Sequence, residues 1–141
     1  MCLYLKFMKR LGILLVEDDP DDIELMQEAL VDNRIPYQME TISQGDRVLS
    51  YLESCKNFPD IVILDLNLPK LHGREVLTKI KTSSQLRNIP VVILTTSSSP
   101  VEKEFCIKAG ASSFITKPST VDGFNATVAE IVNIALLELK S

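Results

Sequence analysis

Short uninterrupted runs of aliphatic residues alternate along this chain with segments whose apolar residues recur at helical spacing. Uninterrupted runs of this kind are typical of strands that are buried on both faces, as in a parallel sheet. The predicted strands lie at residues 11–16, 37–42, 61–64, 91–96 and 113–116, and the second is the weakest. A predicted helix follows each strand, and the last one extends from about Val121 to Leu139.

Several helix ends are marked by residues with a known preference for those positions. Asp19 precedes Pro20, and Ser99 precedes Pro100; both pairs are typical of an N-cap followed by the first helical residue. The pair Ala109-Gly110 is typical of a helix end. Acidic residues favour the first turn of a helix, so capping and the helix dipole account for the acids at positions 19, 21 and 22 without a site role.

Five strands that alternate with five helices predict a parallel sheet with right-handed crossovers and helices on both faces. The predicted fold class is therefore α/β, a flavodoxin-like (βα)5 doubly wound sheet with strand order 2-1-3-4-5. Residues 1–10 are predicted to be an N-terminal extension, and residues 11–141 to be the folded domain.

The composition limits the classes of function. The chain is 45% hydrophobic and 24% charged, which is typical of a globular protein. A net charge of −4 argues against a nucleic-acid surface, and no run of 18 apolar residues predicts a membrane span. The three cysteines match neither a zinc spacing nor a disulfide framework, so we expect reduced thiols and a cytoplasmic protein.

Acidic residues follow two of the predicted strands directly. Glu17 and Asp18 come after the first strand, and Asp65 comes after the third. In the order 2-1-3-4-5 these two strands are neighbours, so their carboxylates are expected to converge where open α/β sheets bind ligands. A cation is needed to neutralise them, and hard oxygen ligands suit Mg²⁺. We expect Asp18 and Asp65 to hold it, with Glu17 acting through water and the Asn67 main-chain carbonyl filling a position.

Two further strand ends carry polar or charged side chains. Thr95, with a hydroxyl group, ends the fourth strand, and Lys117, with an ammonium group, follows the fifth. A carboxylate beside Mg²⁺, a lysine and a hydroxyl group can accept a phosphoryl group and form an acyl phosphate. The metal and Lys117 would stabilise the charge on the transferring group, and Thr95 would donate a hydrogen bond to the new phosphate.

These segments together resemble the receiver domain of two-component response regulators, across roughly Leu11 to Leu139. The matching pieces are LLVED, ILDLNLP, VVILTT and AGASSFITKP, in order and each at the end of its strand. The resemblance implies a phosphoacceptor switch rather than an enzyme, with Asp65 as phosphoacceptor. It also implies that Thr95 and Phe114 are switch residues, that the peptide before Pro118 is cis, and that the surface of helix 4, strand 5 and helix 5 changes.

A finer resemblance concerns the partner. The segments DLNLPKLHGREVL and LTTSSS are similar to stand-alone regulators encoded beside bacterial phytochromes. This implies a sensor histidine kinase, here a phytochrome, as phosphodonor. Thr96 departs from the Ala, Gly or Ser usual at its position and is expected to restrict an attacking water. His72 also departs from the pattern, and we expect it to be a loop residue at a helix start.

Other functions remain open on the sequence. A haloacid dehalogenase-type phosphatase also uses a strand-end aspartate, but it requires a second acid two residues later, where this chain has Asn67. A phosphorylation-independent interaction module, or a relay intermediate, is a further alternative. Labelling as a magnesium-dependent acyl phosphate would separate the phosphoacceptor from the phosphatase and the interaction module.

The last predicted helix has more apolar residues than one core-facing stripe requires. The predicted core stripe consists of Phe124, Val128, Ile131, Val132, Ala135 and Leu139. Ile134 and Leu137 lie off this stripe on a helical wheel. Scattered surface aliphatic residues are one explanation. The prediction made here is a homodimer that forms through this helix and uses Ile134 and Leu137.

Overall fold

The computed structural model describes residues 10–139, which form one five-stranded parallel sheet with helices on both faces. The strand order is β2-β1-β3-β4-β5, as predicted. The strands are β1 (Leu11–Val16), β2 (Tyr37–Ile42), β3 (Ile61–Leu64), β4 (Val91–Thr95) and β5 (Ser113–Thr116). The helices are α1 (Pro20–Asp32), α2 (Val48–Ser54), α3 (Gly73–Thr82), α4 (Pro100–Ala109) and α5 (Val121–Leu139).

The central strands are buried on both faces, which explains their continuous apolar sequence. Alternate residues of β1 illustrate this: Leu14 and Val16 belong to one core layer, and Ile13 and Leu15 belong to the other. The first layer packs under α2, α3 and α4, and the second packs under α1 and α5. The sheet is therefore the middle of three layers, and its strand ends are the places where polar side chains can reach solvent.

The predicted helix starts are confirmed by their capping contacts. The Asp19 side chain accepts a hydrogen bond from the Asp21 amide at 2.9 Å, and Ser99 Oγ accepts one from the Glu102 amide at 3.3 Å. His72 caps α3, because its Nδ1 atom accepts a hydrogen bond from the Arg74 amide at 3.1 Å. This role agrees with the prediction that His72 lies at a helix start.

Two details differ from the sequence predictions. The helix predicted after the second strand begins as a 3-10 turn at Gly45–Arg47 and continues as α2. No peptide bond between residues 10 and 139 is cis, so the expectation of a cis bond before Pro118 is wrong for this structure. The trans isomer is the intrinsically preferred one for a peptide bond before proline, by about 0.5–1 kcal/mol.

The terminal helix α5 covers the core layer that it shares with α1. Phe124, Val128, Ile131, Val132 and Ala135 are buried there, as the wheel predicted. Ile134 also packs partly against this layer, because it follows Ile131 by three residues and so flanks the stripe. Leu137 is 62% exposed. Residues 1–9 of the predicted extension at residues 1–10, and the side chain of Leu139, lie outside the described part of the chain.

Candidate functional site

The sheet brings Glu17 and Asp65 to the same edge. Val16 and Leu64 are partners in the register of β1 and β3, so the two acids leave adjacent strands at one level. The Asp65 amide donates to the Val16 carbonyl at 3.0 Å, and the Glu17 amide donates to the Ile42 carbonyl at 3.0 Å. These main-chain bonds fix both acids relative to the sheet, at its carboxyl end.

The predicted metal-binding acids come together in the structure. Glu17, Asp18 and Asp65 each offer a carboxylate oxygen, and these atoms all lie within 4.8 Å of one another. Glu17 and Asp65 are almost completely buried, whereas Asp18 is exposed. Glu17 Oε2 also accepts hydrogen bonds from the Asp18 and Asp19 amides, both at 3.2 Å. An all-oxygen donor set that is open to solvent at one side fits a divalent cation such as Mg²⁺, with room for waters.

Lys117 reaches into the same acid cluster from the segment after β5. Its Nζ atom lies 2.7 Å from Glu17 Oε1, 2.7 Å from Asp22 Oδ2 and 3.1 Å from Asp65 Oδ2. The lysine side chain is only 7% exposed. A buried ammonium group requires charged or polar partners, and these three carboxylates provide them. The prediction that Lys117 lies beside the strand-end acids is confirmed.

The contacts with Lys117 perturb the protonation of two groups. Burial acts to lower the pKa of Lys117, but hydrogen bonds to Asp22 and Glu17 and the charge of Asp65 outweigh it, so this pKa is raised. Burial raises the pKa of Glu17, and the hydrogen bond and charge of Lys117 oppose that rise only in part. The lysine therefore remains charged at neutral pH and supplies the positive charge of the centre.

Asp22 is the contacting residue that the sequence analysis did not assign to the site. The first turn of α1 brings its carboxylate within 2.7 Å of Lys117 Nζ, although the two residues are 95 positions apart. Its place in the first turn of α1 is a sufficient local explanation for an acid at this position. An excess of acids over capping positions in residues 17–22 was the available signal.

The remaining predicted residues are Thr95, Phe114 and Asn67. Thr95 and Asn67 make hydrogen bonds with residues of the centre, and Phe114 lies in β5, before Lys117. Thr95 is completely buried at the end of β4, and its carbonyl accepts a hydrogen bond from the Lys117 amide at 2.7 Å. Thr95 Oγ1 accepts a bond from the Ser97 amide at 3.4 Å. Phe114 in β5 is partly buried and packs against the α2–α4 core layer. The Asn67 amide donates to Asp65 Oδ1 at 3.4 Å, which holds the start of the β3–α3 loop near the acid.

The fold and the site define this chain as a doubly wound α/β protein with an acid–lysine centre at the carboxyl edge of its sheet. The response regulator receiver domain family matches residues 13–129, and the chain belongs to that family. Receiver domains are phosphoacceptor signalling modules rather than classical enzymes, and they bind a divalent metal at this acid cluster. The predicted family and fold class are thus confirmed.

Individual relatives agree with the finer resemblance. Response regulator Rcp1 of Synechocystis sp. is 42% identical over 90 residues, which are 60% of this chain and 61% of that protein. A probable methanogenesis regulatory protein, FilR2 of Methanothrix harundinacea, is 37% identical over 84% of this chain and 79% of its own length. The chain is thus similar both to a response regulator and to a probable methanogenesis regulatory protein.

Two solved structures show the same architecture. The phosphorylated cyanobacterial phytochrome response regulator RcpA superposes with a TM-score of 0.83, at 35% identity, over 91% of this chain and 95% of RcpA. The Mn²⁺-bound form of Rcp1 superposes with a TM-score of 0.77, at 34% identity, over 84% and 89% of the two chains. In this chain, no helix between residues 10 and 139 is both long and apolar enough to cross a membrane.

Proposed function

We propose that this protein is a phosphoacceptor switch that receives a phosphoryl group on Asp65 from a sensor histidine kinase. The observation that carries the proposal is the Asp65 carboxylate, which is a buried member of the three-carboxylate cluster and lies 3.1 Å from the Lys117 ammonium. Once a divalent cation is bound, this carboxylate lies beside two positively charged groups, the cation and the Lys117 ammonium. Both charges favour the additional negative charge of an incoming phosphoryl group.

The reaction assigns a role to each group. An Asp65 oxygen attacks the phosphorus of a phosphohistidine, the new O–P bond forms, and the N–P bond to the histidine breaks with its electron pair leaving on nitrogen. Lys117 stabilises the charge on the transferring oxygens. Asp18, Asp65 and the Asn67 main-chain carbonyl, with Glu17 acting through water, would hold Mg²⁺, which would supply further neutralisation of the charge on the phosphoryl group.

The proposed conformational switch depends on two residues, Thr95 on β4 and Phe114 on β5. Thr95 is buried at the neighbouring strand end, and Phe114 packs at the margin of the core, so both can respond to a new phosphate. Thr95 Oγ1 donates to the phosphate, and Phe114 changes its packing on β5. The surface formed by α4, β5 and α5 then carries the signal to a partner.

The phosphodonor is proposed to be a phytochrome-type kinase in the cytoplasm. Support comes from the chain's similarity to RcpA, which is a cyanobacterial phytochrome response regulator. Two cysteines in the described region, Cys55 and Cys106, are free thiols, which agrees with a reducing compartment.

The output is proposed to include homodimerisation through α5. Leu137 on α5 is 62% exposed, and Val121 at its start is 55% exposed. Ile134, which packs partly against the core, would form the edge of the contact rather than its centre. A symmetric pairing of two such helices would cover Leu137 and the exposed part of Ile134, whereas Val121 lies on another side of the helix.

Labelling of the purified protein tests the phosphoacceptor proposal. With Mg²⁺ and acetyl phosphate, wild-type protein should gain one phosphoryl group by intact mass, and Asp65→Asn protein should gain none. A phosphatase would instead release phosphate continuously without accumulating the modified form. An interaction module independent of phosphorylation would take up no label, and either result would contradict the proposal.

A further inference from the structure

Asp22 supplies a carboxylate to this centre from outside the group of acids that suits a divalent cation. It lies in the first turn of α1, its side chain is 21% exposed, and its Oδ2 atom lies 2.7 Å from Lys117 Nζ. Within residues 10–139, the acid cluster that could hold a metal ion consists of Glu17, Asp18 and Asp65. Asp22 thus pairs with the lysine without belonging to that cluster.

The local structure of α1 leaves the Asp22 carboxylate available for this contact. An acid at the third helical position commonly reaches back to the amide of the N-cap residue. Here the N-cap is Asp19, and its amide donates instead to Glu17 Oε2 at 3.2 Å. The Asp22 carboxylate consequently extends to Lys117 and links α1 to the segment after β5.

The hydrogen-bonding capacity of Lys117 shows why this partner matters. An ammonium group has three donors, and three carboxylate oxygens lie within 3.1 Å of Nζ. Two of these oxygens belong to Glu17 and Asp65, which are also in the metal cluster. A bound cation and an incoming phosphoryl group compete with Lys117 for those two acids. Asp22 is the partner that this competition leaves in place.

We propose that Asp22 is a positioning residue that holds the Lys117 ammonium beside Asp65 during phosphoryl transfer. The inference rests on the proposed function. Without the Asp22 charge, the ammonium must be oriented in each reaction, and the benefit of a preorganised charge is reduced. The maximal rate constant should therefore fall. The concentration of an anionic phosphodonor needed for half-saturation should not rise, because one repelling negative charge has been removed.

Acetyl phosphate is a suitable probe because its reaction uses the same acceptor. An Asp65 oxygen forms a bond to phosphorus, the bond between phosphorus and the acetyl oxygen breaks, and acetate leaves with the electron pair. No proton transfer is required, so the rate reports the placement of charge. The rate constant at saturating Mg²⁺ is expected to be about tenfold lower in Asp22→Asn, comparable to the loss of one charge-assisted hydrogen bond.

A matched control exists one residue earlier. Asp21→Asn removes the same charge from the same helical turn, but Asp21 is exposed and its amide, not its carboxylate, makes the cap contact with Asp19. Asp22→Glu keeps the charge and should recover most of the lost rate. The ¹H–¹⁵N signal of the Lys117 ammonium, assigned by its loss in Lys117→Met, reports the ion pair in protein that has neither metal nor phosphodonor.

The expected result is a lower maximal rate and a broadened ammonium signal in Asp22→Asn, with Asp21→Asn equal to wild type in both. Equal behaviour of the two variants would overturn the inference. So would a weakened ammonium signal without any change in rate, which would reduce Asp22 to a static ion-pair partner. A wild-type protein that takes no label would refute the proposed function and the positioning role with it, while the ammonium spectra would still report the ion pair.

Discussion

Gly73, the first residue of α3, lies directly against the main chain of Asp65. A Cβ atom at position 73 would lie 2.4 Å from the Asp65 carbonyl oxygen and 2.5 Å from Leu66 Cα, and neither of these backbone atoms can move aside cheaply. The Gly73 amide also donates to the Leu66 carbonyl at 2.8 Å. The start of α3 therefore fixes the segment that carries the proposed phosphoacceptor.

Gly73→Ala should consequently destabilise the protein and disturb the site. We expect a loss of about 1–3 kcal/mol in the free energy of unfolding, typical of overpacking at a closely packed position. Urea unfolding followed by circular dichroism measures it. Gly12→Ala is the control, because a Cβ atom there meets its nearest neighbours at 3.5 Å or more. Similar unfolding curves for the two variants would show that the contact at Gly73 is not tight.

Asp65→Asn should abolish labelling by acetyl phosphate and leave the fold intact. The substitution is isosteric, and it removes one of the three carboxylates that contact Lys117 in a centre that also contains Asp18, so stability should be unchanged or higher. Intact mass and thermal unfolding check the two parts. Retention of the label in the variant would show that another residue is the acceptor.

Asp18→Ala and Thr95→Ala should separate metal binding from the response to phosphate. Asp18 is the exposed member of the metal cluster, so its loss should weaken Mn²⁺ binding by at least about tenfold and prevent labelling. Thr95→Ala should still be labelled, because a hydroxyl group that reads the phosphate is not needed to accept it. Equal loss of labelling in both variants would contradict this division of roles.

The pH dependence of stability should report the Lys117 ion pairs. The folded state raises the pKa of Lys117 above its ordinary value of 10.5, so the charged lysine stabilises the fold fully below pH 10.5. That contribution is lost as the pH rises from 10.5 through the folded-state pKa. Lys117→Met should be less stable than wild type by about 3–5 kcal/mol at neutral pH, as expected when one partner of a buried ion pair is removed.

The stability difference between wild type and Lys117→Met should therefore stay constant up to about pH 10 and shrink between about pH 10.5 and about pH 12. Urea unfolding at each pH measures the free energy of unfolding of both proteins. Taking the difference between the two values cancels the titration of the other lysines. A constant difference over this range would mean that the ion pairs do not stabilise the charged form.

Leu137→Asp should weaken self-association without unfolding the monomer. Leu137 is 62% exposed, so an aspartate there costs little in the monomer but would be desolvated in an apolar helix–helix contact. Sedimentation at micromolar concentrations, with and without phosphorylation, measures the dimer. Val121→Asp adds the same charge at an exposed apolar position on another side of α5 and serves as the control. Ile134→Asp is a poorer test, since Ile134 also packs on the core.

The sequence alone determined the order of elements and most of the candidate site. Continuous aliphatic runs such as Ile61–Leu64 are specific for strands buried on both faces, and a crossover parallel sheet must bring its strand ends to one edge. For that reason Glu17, Asp65 and Lys117 could be placed together before any distance was known. Local chemistry was equally sufficient for the Asp19 and Ser99 caps.

Tertiary structure alone decided which acids face the lysine and how far the core stripe of α5 extends. Asp22 has a complete local explanation as a first-turn acid, and its contact with Lys117 depends on how α1 lies relative to the segment after β5. Ile134 lies off the core stripe on an ideal wheel, yet its side chain still packs partly against the core. In both cases the deciding contacts join residues from separate elements, which helical periodicity and capping rules do not describe.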